Sequence, residues 1–252
     1  MRLLDQMDIA NVLFLDIECV SGTPSYEELS PTLQELWQVK ARSILKVAKE
    51  DLTEEMAAEA FSDRAAIYSE FGQVVCISVG IVVRDAQNRL SIRLKSFADP
   101  EEVVVLEAFS KLVEQYYNDP NQHYFCGHNI KEFDIPYLCR RMMINQLPLP
   151  YPLDLAGKKP WESKHLLDTM ELWKFGDRKS FTSLKLLAAV LGFPSPKDDI
   201  DGSDVGRVFW EENDLDRIAL YCEKDVLATA QLYLRYKRLP LLTDEQVIHV
   251  DR

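Results

Sequence analysis

Hydrophobic residues along this chain fall into two kinds of run. Asn11 to Val20 (NVLFLDIECV) and Gln73 to Arg84 (QVVCISVGIVVR) are mostly apolar over a strand's length, which predicts strands covered on both faces. Leu90 to Phe97 (LSIRLKSF) alternates apolar and polar, as a half-buried strand does, and turn-like residues Asp85 to Asn88 make it the second arm of a hairpin. His123 to Cys126 and Lys164 to Asp168 are shorter strand candidates. The remaining segments carry helical signals. Glu101 to Tyr117 is amphipathic, and Phe133 to Asn145 has Pro136 in its first turn. Ser180 to Leu191 is closed by Gly192 and Pro194, and Asp214 suits the N-cap of a long helix reaching Lys237.

Residues 22–70 differ in character. Pro24 and Pro31 open the segment, and helices are expected over Thr32 to Val47 and Thr53 to Tyr68. Leu33, Leu36, Trp37, Ile44, Leu45 and Val47 form the apolar stripe of the first. Thr53 followed by Glu54 and Glu55 suits the start of the second. The order is strand, helical insertion, two strands, helix, strand, helix, strand and two helices. It predicts an α/β protein: a mixed five-stranded sheet flanked by helices, in a single domain over residues 1–252.

Charge narrows the partners. With 41 acidic against 29 basic residues the chain carries −12, which repels nucleic acid at long range. A nucleic-acid partner must then be held locally, by a basic strip or by bound metal ions. No run approaches the ~20 apolar residues of a membrane span. Asp5 and Asp8 precede the first apolar run, unlike a signal peptide. The five cysteines are odd in number and lack a CxxC pair, which argues against a disulfide framework or a structural zinc site. A soluble protein of the reducing cytoplasm is the expectation.

Three segments hold the candidate chemistry. Asp16 and Glu18 are two apart on a strand, so both side chains share one face. Buried together they need a cation; alone, the pair reads first as a strand end emerging into solvent. Asp134 stands at the start of a helix within Gly127 to Leu138 (GHNIKEFDIPYL), where a carboxylate is also ordinary helix electrostatics. Tyr221 and Asp225 (YCEKD) lie four apart on one face of the last helix, where a core tyrosine and a surface ion pair would also account for them. Glu223 and Lys224 fall on other faces and read as solvent residues.

Together, DxE on the first strand, NxxxFD before a helix and YxxxD on the last helix resemble the three motifs of the DEDD 3′–5′ exonuclease superfamily. The tyrosine points to its tyrosine subclass, DEDDy. FLDIE, GHNIKEFDIPYL and YCEKDV are most similar to the proofreading exonuclease domain of family B DNA polymerases, and to a stand-alone bacterial group of predicted exonucleases related to it. The resemblance runs from about Val12 to Leu234, interrupted by the insertion.

It implies an RNase H-like fold and two divalent ions, Mg²⁺ or Mn²⁺, clamping a phosphoryl displacement. It also implies roles. Asp16 would bridge both ions, Glu18 and Asp225 would hold the first, Asp134 the second, and Tyr221 would orient the attacking water. Cys19 replaces the family's usual threonine beside the terminal nucleotide. Asn129 and Phe133 are candidates for the strand path, and Lys197 for a phosphate contact. Lys158 and Lys159 near Trp161 suit a grip on single-stranded substrate, although a plain loop is the first reading. The chain ends soon after the last helix, so neither a polymerase domain nor proofreading in cis is expected.

The expected activity is removal of nucleotides from single-stranded or frayed DNA 3′ ends. An exoribonuclease is the nearest alternative, and a non-catalytic nucleic-acid-binding scaffold the alternative from another class. Residues 22–70 are the candidate site for a protein partner.

Overall fold

The structure is a computed structural model that describes residues 2–177, 181–194 and 200–250. Its centre is one sheet of six strands: β1 (Val12–Ser21), β2 (Gly72–Arg84), β3 (Leu90–Ala98), β4 (Tyr124–Gly127), β5 (Leu166–Asp168) and β6 (Val247–His249). The order across the sheet is β5–β4–β1–β2–β3–β6. β2 is antiparallel to both of its neighbours, and the other three pairings are parallel. The strand order and directions are those of an RNase H-like sheet.

The expected count of five strands is corrected to six. β6 is only three residues long and largely exposed, so it leaves almost no hydrophobic pattern. It is held by parallel pairing of Val247, Ile248 and His249 with Ile92, Arg93 and Leu94 of β3.

Helices cover both faces. On one face, α7 (Leu215–Lys237) packs over β1, β2 and β3. Its Val226, Leu232 and Tyr233 join Val12, Phe14, Val82, Ile92 and Leu94 in one core, with Leu187 and Ala188 from α6 (Leu184–Leu191). On the other face, α3 (Glu102–Tyr116) and α4 (Asp134–Ile144) bury Phe109, Val113, Ile135 and Leu138 against Leu13, Leu15, Ile17, Ile77 and Val79. The period of two in β1 thus sends odd residues to the α3–α4 side and even residues, Asp16 and Glu18 included, to the α7 side.

Capping follows the sequence. The Asp214 carboxylate accepts the Arg217 amide at 3.1 Å. Ser183 caps α6, so that helix begins later than the pattern predicts, and Ser180 lies outside the described residues. Among the described residues no helix is long and apolar enough to cross a membrane.

Residues 22–70 form the expected helical insertion, with α1 (Pro31–Leu45) and α2 (Glu54–Arg64). It has its own small core. Trp37 is fully buried, its indole N–H donates to the Ala57 carbonyl at 2.8 Å, and its ring meets Phe61 and Phe71 edge-on. The buried stripe of α1 is rotated from the expected one: Trp37 and Ala41 are buried, whereas Leu33, Leu36 and Leu45 are exposed. Ala41 lies one turn from Trp37 on the same face, so a small residue took the position assigned to leucines.

The insertion leaves and rejoins the sheet at the end of β1, where Gly22 N–H donates to the Phe71 carbonyl at 2.7 Å. Tyr137 of α4 reaches across to donate its hydroxyl to Ala66 at 2.8 Å. That crossing needs a glycine at position 72, because a Cβ there would lie 2.3 Å from the Tyr137 hydroxyl.

Gly80 sets the approach of α7. A Cβ at this position would meet Val226 at 2.9 Å, Leu94 at 3.0 Å and Ile92 at 3.1 Å. Gly80→Ala is therefore expected to lower stability by about 1–3 kcal/mol through overpacking. It should lower activity further by displacing the helix that carries Tyr221 and Asp225. Thermal melting and chemical denaturation check the first effect; an unchanged melting temperature would show that α7 has room to spare.

Candidate metal centre

β4 ends at Gly127 and pairs with β1 only along Val12, Leu13 and Phe14. Beyond Phe14, that edge of β1 has no strand neighbour. Asp134, the first residue of α4, occupies the opening, and the Ile17 amide donates to its carboxylate. A carboxylate arriving from the α3–α4 side is thereby fixed between Asp16 and Glu18. On the other edge of β1, the pairing with β2 slips by one residue between Glu18 and Cys19, a β-bulge. The Val74 amide at this irregularity donates to Glu102 at 2.7 Å. Glu102 is paired in turn with Arg141 of α4 at 2.5 Å and accepts from Asn145 at 2.7 Å. One buried ion pair thus ties the bulge to the helix that carries Asp134.

From α7, Tyr221 and Asp225 approach the same place. The Tyr221 hydroxyl hydrogen-bonds the Asp225 carboxylate. Cys222, between them, donates its thiol to the Asp16 carbonyl at 3.4 Å and to Asp16 Oδ2 at 3.5 Å. Ligand atoms of Asp16, Glu18 and Cys222 lie within 4.8 Å of one another. The structure therefore brings together all five residues singled out for catalysis.

The electrostatics are those of too many carboxylates in too little water. Burial, then Asp225, Asp134 and Glu18, push the Asp16 carboxyl well above its ordinary range. Burial and Asp225 do the same to Glu18. Asp134 is pushed up to about 7, chiefly by burial. Tyr221 is raised by burial and by Asp225, Glu18 and Asp16, so its hydroxyl keeps its proton at neutral pH.

Glu18 is 8% exposed, and no described residue gives it a hydrogen bond or an ion pair. Gathering it with other carboxylates away from bulk water is costly without a cation. Its oxygens, with those of Asp16, Asp134 and Asp225, suit a hard divalent cation. Burial and the neighbouring Cys76 raise the Cys222 thiol, which keeps it a hydrogen-bond donor beside that set. The residues present fit the group.

The other candidates separate. Cys19 lies on the opposite face of β1 from Glu18, packed on the α3–α4 side near Tyr137. Phe133 packs on the Tyr137 ring at 5.4 Å. Asn129 holds a left-handed conformation (φ 71°), its amide donates to Asp168, and its Oδ1 is buried without a partner among the described residues. Lys197 lies outside the described residues.

Sequence reasoning missed Asp168. This buried residue ends β5 and accepts from the amides of Asn129 at 3.1 Å, Lys131 at 3.2 Å and Met170 at 2.9 Å. It fixes the loop leading to Asp134 and caps α5 (Thr169–Lys174). An acid between a short apolar run and a helix was the available signal. Glu223, read as a solvent residue, is fully buried; it accepts from Ser96 at 2.8 Å and pairs with His249 at 2.6 Å. The cause is β6, which widens the sheet beneath α7. A larger cavity of about 560 Å³ lies elsewhere, between Leu13, Val79, Arg93 and Tyr116, and has no carboxylate in its lining.

Residues 67–247 match the family described as predicted 3′–5′ exonucleases related to the exonuclease domain of PolB. The chain belongs to that family. The match includes Asp134, Tyr221 and Asp225, while Asp16 and Glu18 precede it. Among solved structures, the family B DNA polymerase from the hyperthermophilic archaeon Pyrobaculum calidifontis is similar at 17% identity and a TM-score of 0.49. The alignment covers 90% of this chain and 24% of that one, so the chain spans about a quarter of the polymerase's length. No curated protein matches the chain.

A carboxyl whose pKa is higher in the folded state binds its proton more tightly there. Its contribution to stability is present below the unfolded value and lost as pH rises through the folded one. For Asp134 that window runs from 3.8 to about 7. The metal-free protein is therefore expected to lose melting temperature across this window. Mg²⁺ or Mn²⁺ should restore it increasingly toward the upper end. Asp134→Asn should flatten the metal-free profile. Melting curves in chelator and in Mg²⁺ measure this, and a wild-type profile that neither falls with pH nor responds to the ion would refute it.

Proposed function

We propose that this chain is a metal-dependent 3′–5′ exonuclease of the tyrosine subclass, removing nucleotides from DNA 3′ ends. The observation that carries the reading is the convergence of Asp16, Glu18, Asp134, Tyr221 and Asp225 at the open edge of β1. Family membership supports the reaction class. Similarity to the bacterial group of predicted exonucleases is part of the same proposal.

Asp16, Glu18, Asp134 and Asp225 would hold two divalent ions, Mg²⁺ or Mn²⁺. When bound, the ions supply positive charge to the attacking and leaving oxygens of an in-line phosphoryl displacement. The protein's own residues do the rest. Tyr221 keeps its proton, so it orients the attacking water through its hydroxyl oxygen rather than acting as a base. Asp225 accepts from that hydroxyl and sets its direction. Asp168 holds the backbone of Asn129 and Lys131, which keeps the loop before Asp134 in place. Residues 22–70 stand at the end of β1 three residues past Glu18, a position suited to screening duplex ends from the site. The exposed Leu36 and Val39 on α1 support the further proposal of a protein partner there.

Purified protein with Mg²⁺ or Mn²⁺ on 5′-labelled DNA and RNA strands of matched sequence tests the reading. Laddered loss from the 3′ end is expected, faster on DNA; faster loss of RNA would favour an exoribonuclease. No loss with either ion would sink both. Asp225→Asn should fall to background with weakened metal affinity. Tyr221→Phe should lose roughly 10²-fold in kcat with KM and metal affinity nearly unchanged. A Tyr221→Phe variant close to wild type would remove the hydroxyl from the mechanism.

A further inference from the structure

Exposed aromatic rings are concentrated in one part of this molecule. Among the described residues the four most exposed are Tyr151 (64%), Trp161 (63%), Phe175 (79%) and Phe181 (66%), all within 31 consecutive positions. Two of them carry a cation over the ring. Lys158 Nζ stands 5.4 Å from the Tyr151 centroid, and Lys159 Nζ 5.1 Å from that of Trp161. Among the described residues neither lysine has a carboxylate within ion-pair distance. In a chain of net charge −12, these cations stand beside the most exposed rings.

The backbone beneath the rings is pinned. Leu153 is fully buried, and its carbonyl accepts the Cys139 thiol at 3.2 Å. The Pro152 carbonyl pairs with buried His165 at 2.8 Å. The Lys159 amide donates to Glu162 at 2.8 Å, which closes the turn that presents Trp161. The rings are therefore held outward by anchored segments, and a ligand stacking on them pays little ordering entropy. Lys158 and Lys159 also line a cavity of about 270 Å³ with Lys131 and Glu132, which lie in the loop running directly into Asp134. The two lysines thus share a cavity with the loop that precedes Asp134.

We infer that Tyr151, Lys158, Lys159 and Trp161 form a binding surface for single-stranded nucleic acid, holding the strand upstream of the nucleotide at the centre. A single strand offers what this surface lacks: flat π faces for the open rings, and phosphates for the two lysines. Duplex ends would have to fray before their bases reach Trp161. The inference rests on the exonuclease reading for its direction along the strand.

Two substrates separate the two claims. Thymidine 5′-(p-nitrophenyl phosphate) reports the chemistry alone, and a 5′-labelled twelve-nucleotide strand reports chemistry plus grip. Trp161→Ala, and Lys158→Glu with Lys159→Glu, should each raise KM on the strand about tenfold or more. Both should leave the rate on the chromogenic ester unchanged. Strand KM within twofold of wild type in both variants would overturn the proposal while leaving the catalytic reading intact. If the wild type hydrolyses neither substrate, the catalytic reading has failed and fluorescence decides the surface. Saturable quenching by oligothymidylate, present in wild type and lost in Trp161→Phe, supports it; no quenching overturns it.

Discussion

Carboxylates crowded into a dry interior raise one another's pKa, and this repulsion is the constraint on which the rest of the structure depends. Asp16 and Glu18 share a face of a central strand, Asp134 is driven in beside them through a gap in the sheet, and Asp225 descends from α7. Burial is the largest cause of the shift at Asp16, Glu18 and Asp134 alike. Left alone, such a cluster resolves itself by taking up protons. A doubly charged cation resolves it while keeping the carboxylates ionised. The cluster on β1 is therefore the place we propose for divalent ions.

The architecture serves that cluster at a distance. β4 stops short, which leaves the Ile17 amide for Asp134. The bulge after Glu18 frees the Val74 amide, and Glu102 takes it while bound to Arg141 of the helix bearing Asp134. Gly80 allows Val226, next to Asp225, to lie close on the sheet. Asp168 binds the loop ahead of Asp134 from β5. These contacts lie on the elements that carry the acids, so positions are set by backbone and neighbouring side chains rather than by contacts among the acids themselves.

Legibility in the sequence followed the range of the interactions. Periods of two and four were local, so the shared face of Asp16 and Glu18 and that of Tyr221 and Asp225 were readable, as were strands β1 to β5 and the Asp214 cap. What failed was long-range. β6 exists through pairing with β3, about 150 residues away, and has almost no pattern of its own. Missing it made Glu223 look solvated, although the widened sheet buries it against Ser96 and His249. In α1 the period was right and its phase wrong, because burial of Ala41 depends on α2 and not on the hydrophobicity of α1. The turn at Val205–Glu212, which packs Val208 and Phe209 on Val20 and Val75, was silent for the same reason.

The central claim is that the carboxylate cluster is built around divalent ions. Its most direct test is equilibrium binding of Mn²⁺, followed by the loss of the free-ion electron paramagnetic resonance signal at neutral pH. The account gives two bound ions per chain for the wild type. Asp16→Ala, which removes a carboxylate that would hold both ions, should weaken both. A chain that leaves Mn²⁺ free, or an Asp16→Ala variant that binds it as the wild type does, would contradict the account.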